Sequence, residues 1–253
     1  MGDWFTTERA DEDTCILSEY RHREETHSYL LCGRERALLI DTGLGVADIS
    51  AAVRALTPLP VSVVLTHAHW DHIGGLARFP ARAVHRAERR WLTDTFPLPR
   101  EAVLHELTAQ PCAFPSAFDP ARYEIFCGNV RTFRGGDRFD LGGRTVEAIH
   151  TPGHSPGHCC FYERARGYLF TGDLVYRGQL DMFYPTTDPQ RFYASVRKIC
   201  TLDAARLFPA HHALNISADM PRRVAEALAG LRSRGLLRHG SGTFGCGDFS
   251  LRL

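Results

Sequence analysis

Four side chains able to bind a metal ion fall within six consecutive residues: His67, His69, Asp71 and His72. They follow the apolar run 61–65, which predicts a strand that ends just before the cluster begins. Such a strand presents imidazoles and a carboxylate at the edge of a sheet. Imidazole nitrogen with carboxylate oxygen is the ligand set that suits zinc, and it also suits iron or manganese.

The spacing within this cluster predicts the directions of its side chains. His67, His69 and Asp71 share parity, so an extended backbone turns all three to one side. We expect a helix to begin at His72, with the Gly74–Gly75 pair allowing close approach of the backbone. The cluster is therefore predicted to lie at the centre of the functional site.

Length and charge limit the class of protein. The chain has 253 residues, enough for a substantial core, and we predict a single domain over residues 1–253. The net charge of +1 gives no sign of the basic surface that nucleic acids require. We therefore expect no nucleic-acid partner.

The sequence also predicts a location. No apolar stretch is long enough to span a bilayer, and the N-terminus lacks a basic segment followed by an apolar one. We expect a cytoplasmic protein with no membrane span, and we take a homodimer as a candidate assembly. The eight cysteines form no CxxC pair, so free thiols are expected. Cys159 and Cys160 are predicted to be neighbours on a buried strand rather than metal ligands.

The second half of the chain repeats the strand pattern of the first. Strands are predicted at 14–20, 28–32, 36–41, 61–65, 82–85, 129–133, 144–150, 157–162, 168–171 and 205–208. Helices are predicted at 47–56, 87–92, 188–200 and 220–234, and the Gly-rich tail 240–253 could add an edge strand. Two similar halves predict two sheets face to face with helices outside.

The segment 96–126 breaks this pattern, because prolines alternate there with aromatic residues. A loop of this length within a compact domain is usually functional or disordered. Its aromatic content favours a packed flap over an active-site cleft. A surface excursion that packs on itself is the alternative.

Three further strands each end in a side chain able to bind a metal. His154 lies at the tip of a loop rich in Gly and Pro, Asp173 follows another strand, and the pair His211–His212 follows a third. Taken singly, such residues are more often hydrogen-bonded core or surface groups, turn residues or helix caps. Together with the first cluster they supply seven N and O ligands in an ordered series, which favours a metal site.

The series resembles the metallo-β-lactamase fold superfamily, and the resemblance covers about residues 29–212. It implies the α+β class and an αββα sandwich, in which two mixed β-sheets lie face to face with helices outside and two metals lie between them. It also implies a division of the ligands. His67, His69 and His154 would hold the first metal, Asp71, His72 and His211 the second, and Asp173 would bridge them.

Two further residues are interpreted from the same resemblance. His211 is preferred to His212 because it follows Pro-Ala, where the family's ligand follows Pro-Gly; the Ala210 difference leaves that choice open. Asp41 matches an aspartate of the family that orients a ligand without binding the metal.

The implied chemistry is hydrolysis by two divalent ions, with zinc as the default metal and iron or manganese as alternatives. A hydroxide bridging the two metals would attack an ester or thioester carbonyl, and Asp71 would hold or shuttle its proton. Tyr176 lies three residues after Asp173 and could donate a hydrogen bond to the developing oxyanion. The alternative for Tyr176 is a buried phenol that is satisfied locally.

Two branches of the superfamily share longer motifs with the chain. The Asp173-x-x-Tyr176 arrangement and the loop around His154 resemble homoserine-lactone lactonases. The run 153–185 is more similar to the animal metallo-β-lactamase domain-containing acyl-coenzyme A thioesterases. We therefore expect an acyl-coenzyme A thioesterase, with a lactonase as the alternative and a non-catalytic metal-binding protein as the second alternative.

The expected partner is a small-molecule acyl ester, thioester or lactone. Met182, Phe183 and Tyr184 would give an acyl chain an apolar wall. Arg177, with Arg100 or Arg122, could meet a coenzyme A phosphate, although solvated arginines are the commoner outcome. These assignments are the least specific of those that the sequence supports.

Overall fold

The structure is a computed structural model that describes residues 4–253. Contacts divide the chain into two compact units. Unit 1 comprises the described residues through Phe133 together with Phe139–Arg144, and unit 2 comprises Arg134–Arg138 and Thr145–Leu253. Each unit combines β-sheet with helices. The single domain over residues 1–253 stays a prediction.

Unit 1 contains a seven-stranded mixed sheet whose spatial order follows the chain. Its strands are β1 (Thr6–Asp11), β2 (Thr14–Ser18), β3 (His27–Cys32), β4 (Ala37–Ile40), β5 (Val61–Val64), β6 (Arg82–His85) and β7 (Arg131–Phe133). The pairs from β1 to β4 are antiparallel, and those from β4 to β7 are parallel. Because β4 and β5 are parallel, their C-terminal ends meet at one edge of the sheet.

The sequence patterns located most of these strands but missed β1. The residues of β2 and β4 are all buried, which is why their apolar runs were readable. By contrast, β1 is a largely exposed edge strand of polar sequence. Such a strand carries little hydrophobic signal, so sequence reasoning passed over it.

The helices of unit 1 are α1 (Ile49–Leu56), α2 (Trp70–Ile73), α3 (Arg89–Thr93) and α4 (Arg100–Thr108). The α1 helix begins after Asp48, whose side chain accepts a hydrogen bond from the Ala51 amide as an N-cap. Ile49 and Val53 are buried on its inner face. The cap explains why the helix starts later than the predicted residue 47.

The prediction that a helix begins at His72 is wrong. The α2 helix already begins at Trp70, so Asp71 and His72 both lie within it. The parity argument therefore holds for His67 and His69 but not for Asp71. A short helix of four residues has too few positions to show a period of 3.6, and the alternating pattern that precedes it masked its start.

The segment 96–126 contains the α4 helix, which sequence reasoning missed because two prolines precede it and its apolar face is weak. Within the segment, Val103 and Leu107 of α4 and the later Tyr123 belong to a buried apolar cluster that also includes Trp4 and Trp70. The segment thus packs against other parts of unit 1 instead of only against itself. Its role as an active-site flap stays a prediction.

Unit 2 contains most of a five-stranded mixed sheet with the order β13-β11-β10-β9-β8 and a three-stranded sheet with the order β12-β15-β14. The strands are β8 (Arg138–Asp140), β9 (Thr145–His150), β10 (Cys159–Glu163), β11 (Tyr168–Gly172), β12 (Gln179–Asp181), β13 (Arg206–Pro209), β14 (Thr243–Gly245) and β15 (Ser250–Arg252). The C-terminal tail thus contributes two strands, and β15 lies in the middle of its sheet.

Two helices, α5 (Pro189–Ile199) and α6 (Met220–Ser233), complete unit 2. Asp188 caps α5 and Pro189 occupies its first turn, which confirms the predicted helix start. The buried faces of both helices join the strands in one apolar core, which includes Phe192 and Leu228.

All eight cysteines are free thiols, as predicted, and Cys159 and Cys160 are buried neighbours on β10. Within residues 4–253, no helix has the length and apolar character needed to cross a bilayer.

Candidate metal centre

The predicted ligands of unit 1 form a compact cluster just beyond the C-terminal end of β5. The ring centroid of His67 lies 4.4 Å from that of His69 and 4.1 Å from that of His72. The Asp71 Oδ2 atom lies 3.5 Å from His72 Nε2. His67, Asp71 and His72 are buried, and His69 is half-buried. Four predicted ligands of unit 1 are thus brought together.

Asp41, at the C-terminal end of β4, orients this cluster through contacts with Thr66 and His72. Its Oδ1 accepts a hydrogen bond from the Thr66 amide at 2.7 Å, and its Oδ2 accepts from Thr66 Oγ1 at 2.7 Å. His72 Nδ1 lies 2.9 Å from Asp41 Oδ2, and His67 Nδ1 lies 3.0 Å from Thr66 Oγ1. Each ring then directs its Nε2 atom toward a prospective metal, which is the usual arrangement of a histidine ligand.

Glu88 is a supporting residue whose role sequence reasoning missed. Its carboxylate is completely buried and accepts a hydrogen bond from the Ala68 amide at 2.6 Å. Ala68 lies between His67 and His69, so this bond fixes the backbone that carries both imidazoles. The only signal in the sequence is an acidic residue shortly after β6, which is too common a feature to assign.

Glu19 is a second buried carboxylate that the sequence did not reveal. It accepts hydrogen bonds from Trp4 Nε1 at 2.6 Å, Thr26 Oγ1 at 2.8 Å and the Leu44 amide at 2.9 Å. Burial raises the pKa of Glu19 to about 7, although these three bonds oppose the rise. Glu19 thereby fixes the turn at Leu44, which follows Asp41 in the chain.

The predicted ligands of unit 2 form a cluster around a carboxylate. The Asp173 Oδ2 atom lies 3.5 Å from His154 Nε2 and 3.2 Å from His211 Nε2. All three side chains are buried. His154 Nδ1 lies 3.3 Å from the Asp181 carbonyl oxygen, which leaves Nε2 directed toward Asp173. Asp173 follows β11 and His211 follows β13, and these two strands are parallel neighbours.

The loop that carries His154 depends on Gly153. This residue has a φ of +139°, and an added Cβ atom would lie 2.2 Å from the Phe192 backbone nitrogen of α5. Its carbonyl oxygen accepts a hydrogen bond from the Asp188 amide at 2.7 Å. Only glycine permits this close approach, so the loop is held against the start of α5.

His158 shares the loop with His154 but has a different role. Its Nδ1 lies 2.9 Å from Thr151 Oγ1, and its Nε2 accepts a hydrogen bond from the Asp173 amide at 3.1 Å. Because both ring nitrogens are engaged, His158 positions the backbone of Asp173 and is not available as a metal ligand.

The geometry of unit 2 favours His211 over His212 as a ligand. His211 is 3% exposed and faces Asp173, whereas His212 is half-buried and has a φ of +61°. Tyr176 packs beside them, with its ring centroid 5.3 Å from that of His211. The Tyr176 hydroxyl donates a hydrogen bond to the Gln179 carbonyl oxygen. This bond matches the alternative of a locally satisfied phenol.

The donor set of both clusters fits a divalent metal. The available atoms are imidazole nitrogens and carboxylate oxygens, which zinc, iron and manganese all accept. Three of the histidines also have an oxygen atom beside Nδ1 that fixes the orientation of the ring.

Comparison with known proteins decides the family. A sequence profile of the metallo-beta-lactamase superfamily matches residues 23–211, a range that includes both clusters. The chain belongs to the metallo-beta-lactamase superfamily. Its membership confirms the resemblance and the α+β fold class inferred from the sequence.

Relatives within the superfamily include thioesterases. An acyl-coenzyme A thioesterase, MBLAC2, from Gallus gallus is 30% identical over 217 residues, which cover 79% of this chain and 76% of the relative. The structure of ST1585, a metallo-beta-lactamase superfamily protein from Sulfolobus tokodaii, has a TM-score of 0.62 at 23% identity. The match covers 82% of this chain and 81% of ST1585. TTHA1623, solved in a di-iron-bound form, has a TM-score of 0.56 at 29% identity. The match covers 76% of this chain and 89% of TTHA1623.

These comparisons support a hydrolase of the metallo-beta-lactamase superfamily. The second alternative, a non-catalytic metal-binding protein, has no support among them. Asp71 and His72 lie in the short helix α2, and the other five predicted ligands lie just beyond a strand or in a loop between strands.

The arginines suggested for a coenzyme A phosphate have structural contacts. The Arg100 guanidinium donates hydrogen bonds to the carbonyl oxygens of Tyr123, Pro120 and Ala121 at 2.7, 3.0 and 2.7 Å. Arg177 lies 3.3 Å from Asp248. These contacts favour structural roles for both arginines.

The suggested apolar wall is only partly available. Met182 is fully buried in the core of unit 2, so it cannot face an acyl chain, whereas Tyr184 is 39% exposed.

Proposed function

We propose that the protein is a dinuclear zinc-dependent hydrolase that cleaves acyl thioesters. In this proposal seven side chains hold one pair of metals. His67, His69 and His154 hold the first, Asp71, His72 and His211 hold the second, and Asp173 bridges them. The observation that carries the proposal is the Asp173 carboxylate within 3.5 Å of two imidazole Nε2 atoms. A carboxylate so surrounded can serve two cations at once.

Zinc is the proposed metal, with iron or manganese as alternatives that use the same donor atoms. The di-iron form of TTHA1623 supports the iron alternative. When bound, two such ions would lower the pKa of a water molecule and polarise the carbonyl oxygen of a substrate.

The side chains of this chain have separate tasks in the proposed reaction. Asp71 is 7% exposed and can accept the proton of the attacking water. Asp41 and Glu88 hold His72 and the backbone between His67 and His69 in place. Tyr176 can support the developing oxyanion only if its hydroxyl leaves the Gln179 carbonyl oxygen.

An acyl-coenzyme A thioester is the proposed substrate because the MBLAC2 relative, which is named for that activity, aligns with most of the chain. A lactonase is the second candidate. It is favoured by the position of Tyr176 against the ring of His211, three residues after the proposed bridging carboxylate.

The test is a kinetic comparison of substrates. Protein prepared separately with zinc, iron and manganese is assayed against long-chain acyl-coenzyme A, simple esters and an acyl-homoserine lactone. We expect the thioester to have the highest kcat/KM, and we expect a strong chelator to remove the activity and added metal to restore it. A higher kcat/KM for the lactone would instead promote the lactonase.

A cytoplasmic location and a homodimer stay predictions from the sequence. Light scattering on the purified chain would measure its mass in solution and test the homodimer.

A further inference from the structure

Tyr123 is a buried phenol that the proposed mechanism does not use. It lies at the end of the segment 96–126 and is 7% exposed. It belongs to the apolar cluster that includes Leu44 and Trp70. Trp70 immediately precedes Asp71, and Leu44 lies three residues after Asp41. Tyr123 is therefore packed against the elements that carry and support the ligands of unit 1.

Arg100 holds Tyr123 in this position. Its guanidinium donates to three carbonyl groups, those of residues 120, 121 and 123. Backbone carbonyls held by one planar cation cannot shift independently, so the short turn Pro120–Arg122 and Tyr123 form a fixed unit. The ring of Phe118 lies 6.2 Å from that of Tyr123 and meets it edge-on.

The hydroxyl of Tyr123 is available to a ligand. Among residues 4–253, the structure contains no partner that forms a hydrogen bond with it. The residue as a whole is 7% exposed, whereas the hydroxyl oxygen keeps contact with solvent, so a ligand can reach it. Burial, reinforced by the nearby charges of Asp71 and Glu19, raises the pKa of Tyr123 well above its usual range. A tyrosine hydroxyl is in any case protonated at neutral pH, so it can act as a donor.

Tyr176 offers a contrast. It is an equally buried phenol beside the ligands of unit 2, but its hydroxyl already donates to the Gln179 carbonyl oxygen. Of these two phenols, only Tyr123 has a hydroxyl proton that is not engaged by a described residue.

We propose that Tyr123 is a further catalytic residue, whose hydroxyl donates a hydrogen bond to the acyl carbonyl oxygen of a thioester substrate bound beside Asp71. This inference rests on the proposed hydrolase function and adds a residue that determines how the acyl group is held. A fixed donor in an apolar environment strengthens its bond as charge develops on that oxygen. It also discriminates against ligands that lack an oxygen atom at the same place.

The central test is Tyr123→Phe, which removes only the hydroxyl. We expect kcat/KM for a long-chain acyl-coenzyme A to fall by roughly ten- to a hundredfold, mainly through kcat, with metal content and melting temperature retained. The matched control is Tyr162→Phe. Tyr162 is a buried phenol of unit 2 whose hydroxyl donates to the Asp203 carbonyl oxygen at 2.8 Å, so its loss should leave kcat/KM unchanged.

A second variant tests the positioning role of Arg100. Arg100→Gln should reproduce part of the loss, and the double variant with Tyr123→Phe should be no slower than Tyr123→Phe alone. Such non-additivity is expected when one residue acts through another. If the losses of kcat/KM in the two single variants add in the double variant, Arg100 does not act through Tyr123 and its role is in folding alone.

An S-alkyl coenzyme A thioether, which lacks the acyl carbonyl oxygen of the thioester, tests where the lost hydrogen bond is made. Its inhibition constant should be the same for the wild type and Tyr123→Phe. An inhibition constant that rises as much as kcat/KM falls would place the hydroxyl elsewhere on the ligand and overturn the assignment.

The outcomes separate this inference from the proposed function. A wild type that hydrolyses no thioester, ester or lactone overturns the hydrolase proposal and with it the role of Tyr123. An active wild type with an unchanged kcat/KM in Tyr123→Phe overturns the role of Tyr123 alone.

Discussion

The two ligand clusters differ in how the chain assembles them. In unit 1, four candidate ligands come from one stretch of six residues, His67 to His72, directly after β5. In unit 2, His154, Asp173 and His211 come from three separate segments that the strand pairing brings together. Local sequence therefore organises the first cluster, whereas the second depends on correct packing of a whole sheet.

The supporting groups differ as well. The cluster of unit 1 is braced by three buried carboxylates, Asp41, Glu88 and Glu19. That of unit 2 is braced by neutral groups, namely the Asp181 carbonyl oxygen and the His158 imidazole. We therefore expect variants in unit 2 to test whether the metal site assembles. Variants in unit 1 should test the orientation of the ligands and the pH dependence of stability.

The largest effect is expected from Asp173→Ala. Removing the carboxylate between His154 and His211 should abolish hydrolysis and reduce bound metal, a loss larger than the roughly 10- to 100-fold that changes outside the ligand shell cause. Metal per chain by mass spectrometry and kcat/KM would measure it. Glu226→Ala, which removes an exposed carboxylate from α6 of the same unit, is the control. Full activity of Asp173→Ala would refute the bridging role.

A smaller effect is expected from Asp41→Asn in unit 1. Asp41 has a φ of +61°, a conformation that asparagine tolerates, so the backbone should be retained. Losing the charge behind His72 Nδ1 should weaken metal affinity by about 10- to 100-fold. Competition with a chelator would measure this. Asp48→Asn, which changes the cap of α1 and the ion pairs of Asp48 with Arg54 and Arg78, should leave metal affinity unchanged.

Tyr176→Phe should have a smaller effect again, about a tenfold loss of kcat, if the hydroxyl exchanges the Gln179 carbonyl oxygen for an oxyanion. Steady-state kinetics on the same thioester would measure it beside Tyr123→Phe. An unchanged kcat would leave Tyr176 as a packing residue.

The smallest effect on hydrolysis is expected from Glu19→Gln, which should act on stability. The folded-state pKa of Glu19 is about 7, above its ordinary 4.5, so the folded chain binds this proton more tightly than the unfolded chain. The contribution of Glu19 is therefore complete below pH 4.5 and is lost as pH rises through about 7.

Denaturant titrations at several pH values would measure this contribution. From pH 4.5 to above 7, the wild type should lose roughly 3 kcal/mol more of its free energy of unfolding than Glu19→Gln. Parallel pH profiles of the two proteins would contradict the raised pKa.

The same contrast explains what the sequence could predict. The cluster of unit 1 was readable because its ligands are adjacent and follow an apolar strand. His154, Asp173 and His211 could be connected only through the family resemblance, since each is unremarkable by itself. Glu88 and Glu19 escaped notice because a buried carboxylate has no local pattern; its burial is a property of the tertiary structure.

Elements without an apolar period were also missed. The exposed strand β1 and the helix α4 have too weak a hydrophobic face to be read from sequence. The helix α2 began earlier than predicted because it is a single turn that follows an alternating pattern. By contrast, the strands with buried apolar runs were located to within a few residues.

Anomalous X-ray diffraction from crystals of the metal-loaded protein tests the central proposal most directly. Two metal peaks per chain are expected, one bound by His67, His69 and His154, the other by Asp71, His72 and His211, with Asp173 contacting both. Peaks bound by other residues, or the absence of any peak at these seven side chains, would contradict the proposed dinuclear centre.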